Sequence, residues 1–309
     1  MTDVFKSRWY AIEPVGVLKL SGPDGPDLLH RLSTQALREL GQDYQVRSTI
    51  FTTAQGKMVD WALVLHSGED VLIQTHVSRA ARLRDWIDNY IIMDDASIED
   101  VSSQWTRCVV QGDGAFDFLG GEVLRDKVLV RGEGYWFKGL EAFGERVAGL
   151  VPVLAAGALG EELGNVGFVE AVERQWEYLR ILAGVPSPDW EYTKEINPLE
   201  LRLKEEAIAW NKGCYIGQEV ISRLDSYDKV KRLLMGFSSK EEIEGEESVK
   251  LSWNGKTVGK MTSCVPGPDG GTVGLAIVER DGLDKDVISI ETAGRVLEGR
   301  LENRPFWAT

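Results

Sequence analysis

The hydrophobic pattern of this chain predicts strands and helices in alternation. Residues 15–20 have the apolar, β-forming character of a strand, and leucines at helical spacing follow the turn that ends at Asp27. The same order returns later, with a strand predicted over residues 107–111, a turn over 112–114 and the start of a helix over 116–119. This recurrence indicates either an internal duplication of one α+β unit or a chance repeat of a common motif.

Apolar periodicity in the middle of the chain predicts one hairpin, three helices and a long loop. The hairpin joins residues 59–65 to residues 71–75. The three helices are expected over residues 77–92, 143–154 and 168–183. Residues 186–211 show little periodicity but carry several apolar side chains, so we expect an ordered loop that lines a site.

The C-terminal part has the pattern of an all-β domain. From residue 249 onward, short β-type runs alternate with turns, and Asn254-Gly255 is a strong signal for a hairpin. Strands at this spacing indicate a small antiparallel barrel or sandwich. The sequence thus predicts an α+β fold, with a domain of two lobes over residues 1–228 and a β domain over residues 229–309.

The composition is that of a folded soluble protein, with 43% hydrophobic and 27% charged residues among 309. No apolar run reaches the length of a membrane span, and the first residues lack the apolar core of a signal peptide. Cys108, Cys214 and Cys264 lie far apart without a CxxC pair, and no ligand spacing indicates a metal site. We therefore expect a cytoplasmic protein without membrane contact.

The charge limits the classes of partner. A net charge of −14 argues against broad nucleic-acid binding, because phosphates would be repelled overall. The charge is uneven, however, since residues 202–232 hold seven cations and five anions. This stretch is either a solvated face with salt bridges or a local site for carboxylates or phosphate beside Cys214.

One segment concentrates features that activate a thiol. The cysteine motif, residues 212–219, has the sequence Lys-Gly-Cys-Tyr-Ile-Gly-Gln-Glu. Its glycines allow sharp turns and the close approach of a ligand. A helix predicted to begin near Gly217 offers free N–H groups and the positive end of its dipole, and Lys212 adds a cation. These features favour the thiolate form of Cys214; the alternative is a cysteine buried as a small apolar residue.

Three further side chains are candidates for binding. Asp60 lies inside an apolar strand, where a carboxylate must be paired or bound unless the strand end is exposed to water. Gln74 lies in the next predicted strand, where its amide could approach Asp60 and both donate and accept hydrogen bonds. Arg180, before the long loop, could bind a carboxylate in a bidentate manner or form a surface salt bridge.

Several common enzyme classes are not supported. The chain has no Walker A loop, no GxGxxG between strand and helix, no HExxH and no GxSxG. ATP-driven, nicotinamide-dependent, zinc-protease and serine-hydrolase functions therefore lack their usual motifs.

The cysteine motif, followed by Arg223, resembles the signature of the YgfZ-type folate-binding proteins, which are relatives of the glycine cleavage system T-protein, an aminomethyltransferase. The resemblance covers nearly the whole chain. Weaker local similarities occur in the family's order over residues 21–24, 32–35, 56–58, 184–186 and 197–200. The C-terminal β region is similar to the T-protein barrel.

The resemblance implies a T-protein-like fold with duplicated α+β lobes that holds tetrahydrofolate or a one-carbon derivative. Asp60, Gln74 and Arg180 fall where T-proteins place a folate-contacting carboxylate, an amide near the pterin and a folate-binding arginine. The resemblance also implies that the cysteine motif contributes to the site through Lys212, Gly213, Cys214, Tyr215, Gln218 and Glu219, with Arg223 beyond it. The T-protein segment that bears the pterin glutamate has no clear counterpart, since residues 132–135 are a poor substitute.

Three functions follow as hypotheses. The first is implied by the YgfZ-type resemblance, because that branch is linked to the maintenance of iron–sulfur enzymes. It is a folate-binding accessory protein for assembly or repair of such enzymes, including ones that modify tRNA, with iron–sulfur client or assembly proteins as partners. The second is a folate-dependent aminomethyl or one-carbon transferase that uses Asp60. The third is a scaffold that binds proteins or tRNA without folate.

Overall fold

The chain forms two compact units in a computed structural model. The structure describes residues 7–38, 40, 44–66, 68, 71–121, 123–124, 126–139, 145–243, 249–267, 270–292 and 294–303. The first unit consists of residues 1–53, 59–172 and 207–216, and the second consists of residues 54–58, 173–206 and 217–309. The domain division at residue 228 stays a prediction. The two compact units divide the chain differently, because residues 173–206 belong to the same unit as the C-terminal part.

The first unit contains two sheets and, among the described residues, four α-helices. Its strands are β1 (Trp9–Pro14), β2 (Gly16–Ser21), β3 (Val46–Thr52), β4 (Met58–His66), β5 (Val71–Thr75), β6 (Ser97–Asp100), β7 (Trp105–Gln111), β8 (Val128–Arg131), β9 (Gly134–Lys138), β10 (Arg146–Pro152) and β11 (Val169–Glu170). Its helices are α1 (Gly25–Leu32), α2 (Ala80–Asp88), α3 (Ala115–Phe118) and α4 (Ala156–Asn165).

The first sheet has the strand order β3-β4-β5-β2-β6 and is covered on one face by α1 and α2. Pro26 lies in the first turn of α1, where its missing N–H costs no helical hydrogen bond. Leu28 and Leu32 of α1 belong to one buried cluster with Val64 and Ile73 of the sheet. Burial of this apolar stripe stabilises a helix of eight residues that would be marginal alone.

The second sheet repeats the first. Its order is β11-β1-β7-β10-β9-β8, in which the run β7-β10-β9-β8 corresponds to β2-β5-β4-β3. In each lobe the first of these strands leads into a helix through a glycine with positive φ, 103° at Gly22 and 102° at Gly112. Such φ values favour glycine because it lacks a Cβ. The predicted duplication of an α+β unit is therefore confirmed.

The second unit contains a closed antiparallel barrel. Its helices are α5 (Glu173–Ala183), α6 (Lys204–Ala207) and α7 (Gln218–Ser226), and its strands are β12 (Arg232–Ser239), β13 (Lys250–Trp253), β14 (Lys256–Pro266), β15 (Thr272–Glu279), β16 (Val287–Thr292) and β17 (Arg295–Glu302). The barrel order is β12-β15-β14-β13-β16-β17. Asn254 and Gly255 join β13 to β14 with φ values of 50° and 76°, so the predicted hairpin turn is confirmed.

The prediction of a helix over residues 143–154 is wrong. Its described part forms β10, and the helix follows as α4. All residues from Arg146 to Val151 are buried, so this strand shows no alternation of apolar and polar positions, and such a run cannot be told from a buried helix by periodicity. The helix predicted over residues 77–92 is shorter, and residues 169–170 form β11 before α5 begins.

Candidate functional site

Asp60 is a buried carboxylate on the helix-covered face of the first sheet. Its side chain accepts hydrogen bonds from the Thr75 hydroxyl and from the Trp61 N–H, the latter at 2.9 Å, and Asp60 is 1% exposed. Burial raises the pKa of Asp60 to about 6, against the opposing effects of the two hydrogen bonds and of the positive Arg79 and Arg82. A carboxyl that titrates near neutral pH can hold or accept a proton.

Gln74 does not lie beside Asp60, which corrects the expectation from the hairpin. Gln74 of β5 pairs with Leu63 of β4. The next residue, Thr75, donates its hydroxyl to Asp60. Because side chains alternate between the faces of a sheet, Gln74 lies on the opposite face. Gln74 is buried, and its Oε1 has no hydrogen-bond partner among the described residues. This oxygen is a buried acceptor whose fitting partner would be an N–H donor.

The segment that carries Cys214 is tied to the C-terminal end of α1. The Lys212 ammonium donates to three backbone carbonyls, those of His30 at 2.5 Å, Ser33 at 2.6 Å and Gln35 at 2.8 Å. The expected cation of the motif is therefore bound to backbone oxygen atoms of its own unit. A role of Lys212 in holding a ligand stays a prediction.

Cys214 is the exposed thiol of the chain. Cys108 is buried, and burial raises its pKa to about 12; Cys264 is half-buried, and burial raises its pKa as well. The neighbouring Tyr215 is 8% exposed, and burial raises its pKa to about 12, so its hydroxyl stays protonated at neutral pH. Cys214 is therefore accessible and is not buried as a small apolar residue, and its role as a working thiol stays a prediction.

The two glycines of the motif have different roles. Gly217 has a φ of 84° and forms the N-cap of α7, which confirms the predicted helix start. Gly213 is exposed, and a Cβ at this position would meet only the His30 Nε2, at 3.8 Å. No contact within the unit requires glycine at 213, so its effect is to leave backbone uncovered next to Cys214.

The remaining motif residues belong to the second unit. Gln218 and Glu219 lie in the first turn of α7, and Arg223 lies one turn further along. Glu219 and Arg223 are exposed, and Gln218 is half-buried. Their predicted contribution to ligand binding stays a prediction.

Arg180 is committed to protein partners within the second unit. Its guanidinium binds both carboxylate oxygens of Glu177, at 2.5 and 2.7 Å, and donates to the Val185 carbonyl and the Ser263 hydroxyl. It also approaches the fully buried Glu191 at 3.4 Å. Burial alone would lower the pKa of Arg180, but the hydrogen bonds to Glu177 and the charge of Glu191 raise it. To bind a ligand carboxylate as predicted, Arg180 would have to release one of these partners.

Two threonines hold parts of the first unit together; Thr75 was not identified from the sequence, whereas Thr34 lies in the segment 32–35 that resembles the family. Thr75 holds the Asp60 carboxylate, and Thr34 bonds both to the Ile50 N–H at 2.9 Å and to the Ala207 carbonyl at 2.6 Å. The alternation of β5 gives the signal for Thr75, because it places that hydroxyl on the face of Asp60. The bond from Thr34 to Ala207 could not be predicted from the local sequence, because the two residues lie 173 positions apart.

Some classes of site are absent from the described residues. No group of three or more His, Cys, Asp or Glu side chains there could hold a metal ion. None of the helices in the described ranges has both the length and the apolarity to cross a bilayer.

Comparisons with known proteins relate this chain to aminomethyltransferases. No family model matches the chain. A chloroplastic protein of Arabidopsis thaliana, whose name calls it a transferase without naming a substrate, is 27% identical over 95% of this chain and 69% of its own length. An aminomethyltransferase of Shouchella clausii is 25% identical over 96% of this chain and 86% of its own length.

A solved structure extends this similarity to the fold. The glycine cleavage system aminomethyltransferase T of Bartonella henselae superposes with a TM-score of 0.79 at 15% identity, over 99% of this chain and 88% of its own length. The chain therefore has the T-protein fold predicted from the sequence, and it is similar to aminomethyltransferases over nearly its whole length.

The buried Asp60 predicts a specific pH dependence of stability. Its pKa in the folded chain is above the unfolded value of 3.8, so its stabilising effect is present below about pH 4 and is lost as pH rises through about 6. We expect the free energy of unfolding of the wild type, minus that of Asp60→Asn, to fall by about 2 kcal/mol from about pH 4 to about pH 7. Denaturant titrations of both proteins measure this difference; a constant or rising difference would contradict the assignment.

Proposed function

We propose that this protein binds a tetrahydrofolate, or one of its one-carbon derivatives, and uses Cys214 as an accessory thiol in the assembly or repair of iron–sulfur enzymes. The T-protein fold of the chain and its similarity to aminomethyltransferases support tetrahydrofolate as the ligand. The YgfZ-type resemblance of the cysteine motif supports the iron–sulfur role, with clients that include tRNA-modifying enzymes. The observation that carries the thiol role is the exposure of Cys214 on a segment anchored to the first unit.

The residues of the first unit offer polar groups that suit a pteridine ring. Gln74 presents a buried oxygen acceptor, and the ring edge of a pterin carries N–H donors. Asp60 presents a carboxyl that can exchange a proton near neutral pH. Tetrahydrofolate would supply the ring nitrogen atoms that carry a one-carbon unit. Asp60 and Gln74 lie on opposite faces of one sheet, so they would contact different parts of the ligand or different ligands.

Binding of folate is tested by calorimetry with tetrahydrofolate and with its formyl and methylene forms. We expect saturable binding to the wild type and affinity lower by about tenfold in Asp60→Asn, which loses a charged hydrogen-bond acceptor. Asp88→Asn, an exposed carboxylate of the same unit, is the matched control and should bind as the wild type does. Absence of heat release with all three folates would reject folate binding, and unchanged affinity in Asp60→Asn would reject Asp60 as a contact.

The thiol role is tested in a strain that lacks this protein and shows reduced activity of iron–sulfur enzymes. We expect Cys214→Ala to restore less than about a tenth of the activity that the wild type restores, since the only exposed thiol among the described residues is lost. Cys264→Ala, at the half-buried barrel cysteine, is the matched control and should restore activity fully. Equal restoration by Cys214→Ala and the wild type, at equal protein levels, would remove the thiol from the function.

A second candidate function is aminomethyl transfer to folate. The similarity to aminomethyltransferases favours it, and so does a carboxyl at Asp60 that titrates near neutral pH, as a general base does. Asp60 would then hold the proton exchanged with the amine of the donor. One observation weighs against it. The segment that bears the pterin glutamate in T-proteins has only a poor counterpart here, residues 132–135, which form the turn after β8 and the start of β9.

Turnover separates the two functions. If the second holds, methylene-tetrahydrofolate should form from a lipoyl-bound aminomethyl donor, and Asp60→Asn should reduce the rate by at least about a hundredfold. Lack of product with every lipoyl carrier tested, under conditions where tetrahydrofolate binds, would exclude the transferase.

A further inference from the structure

The Lys212 side chain closes an open helix end. The last carbonyls of a helix lack intrahelical donors, and the negative end of the helix dipole favours a cation. Lys212 donates to the carbonyls of His30, in the last turn of α1, and of Ser33 and Gln35 immediately after it. Lys212, which follows Gln35 by 177 residues in the sequence, therefore provides the C-terminal cap of α1.

The segment around Lys212 is fixed to the same region on both sides. Before it, the Ala209 N–H donates to the Thr34 carbonyl at 3.0 Å. After it, the Ile216 N–H donates to the Arg31 carbonyl at 3.2 Å, and the Ile216 carbonyl accepts from the Thr52 hydroxyl at 2.5 Å. Cys214 thus lies between two anchored residues, one held by its side chain and one by its backbone.

We propose that Lys212 is a positioning residue for Cys214, which holds the thiol-bearing segment against the end of α1 through its three carbonyl contacts. The functional importance of this positioning rests on the proposed thiol role of Cys214. The contacts of Lys212 do not depend on that role. The exposed Gly213 between the two residues supplies no side-chain contact that could replace them. The ammonium of Lys212 therefore holds the thiol from the N-terminal side, while the backbone of Ile216 holds it from the C-terminal side.

The surroundings of Lys212 make this cap sensitive to pH. Burial and the nearby Arg38 lower the pKa of Lys212 to about 7, while the three carbonyl acceptors and the Tyr215 ring at 5.1 Å favour the cation. The other charged side chains near this end of α1 are paired: Arg31 with Asp27 and Asp94, and Arg38 with Asp27. The His30 ring accepts hydrogen bonds from the backbone N–H groups of Leu37 and Arg38.

The sign of the effect follows from the number of donors. An ammonium has three N–H donors, whereas a neutral amine has two and directs a lone pair at the third oxygen. The pKa of Lys212 is about 10.5 in the unfolded chain and lower in the folded chain, so the folded chain loses this proton at a lower pH than the unfolded chain does. The three-contact cap is complete below about pH 7 and loses a contact above it.

Hydrogen exchange of the full-length protein, followed by mass spectrometry, tests the assignment. We expect Lys212→Met to accelerate exchange over residues 207–216 by at least about tenfold, with β16 of the barrel unchanged because its buried side chains belong to a different apolar cluster. Lys260→Met, which removes an exposed lysine of the barrel, is the matched control and should exchange like the wild type. Equal protection of residues 207–216 in Lys212→Met and the wild type would overturn the assignment.

The pH profile distinguishes positioning from a general loss of structure. After correction for intrinsic exchange, protection of residues 207–216 in the wild type should fall as pH rises from about 6 to about 8. Lys212→Arg should show no such fall, because a guanidinium stays charged over this range. This comparison needs only folded proteins, so it decides the question even if Lys212→Met does not fold. A flat wild-type profile, or the same fall in Lys212→Arg, would overturn the assignment.

The same variants separate this inference from the proposed function. Complementation by Lys212→Met should drop toward the level of Cys214→Ala while its Cys214 thiol remains titratable. If Cys214→Ala complements fully but exchange changes as expected, the iron–sulfur role fails and the positioning role stands. If Cys214→Ala fails to complement and exchange is unchanged, the thiol role stands and the positioning role fails.

Discussion

The contact of one lysine ammonium with three backbone carbonyls is the interaction on which the candidate site depends. It joins the thiol-bearing segment to the end of a short helix, two parts of the chain that are distant in sequence. The contact supplies donors to carbonyls that the helix end leaves without intrahelical partners. This contact and the backbone bonds of Ala209 and Ile216 together hold the chain on both sides of the exposed Cys214.

A buried carboxylate is the second feature that sets this unit apart from a structural scaffold. Asp60 is held in an apolar strand by one hydroxyl and one N–H, and burial raises its pKa toward neutrality. Such a group lowers stability at neutral pH, so its presence favours a functional role over a packing role. Arg180 is the contrasting case, because its partners satisfy its charge within the second unit.

The fold was predictable from local signals, whereas the site was predictable only in part. The barrel followed from short strands and Asn254-Gly255, and the duplication followed from repeated glycine turns. Strand β10 was missed because burial on both faces removes alternation from its sequence. The cysteine motif marked Cys214 correctly as accessible, but no pattern near Lys212 could indicate that its ammonium reaches carbonyls on α1, since that contact exists only in the folded chain.

The claim that joins these observations is that the first unit holds a folate in contact with Asp60. A crystal structure of the protein grown in the presence of tetrahydrofolate tests it most directly. We expect density for a pteridine ring within hydrogen-bond distance of the Asp60 carboxylate. Density for the ring at another place in the chain, or a fully determined structure without folate at saturating concentration, would contradict the claim.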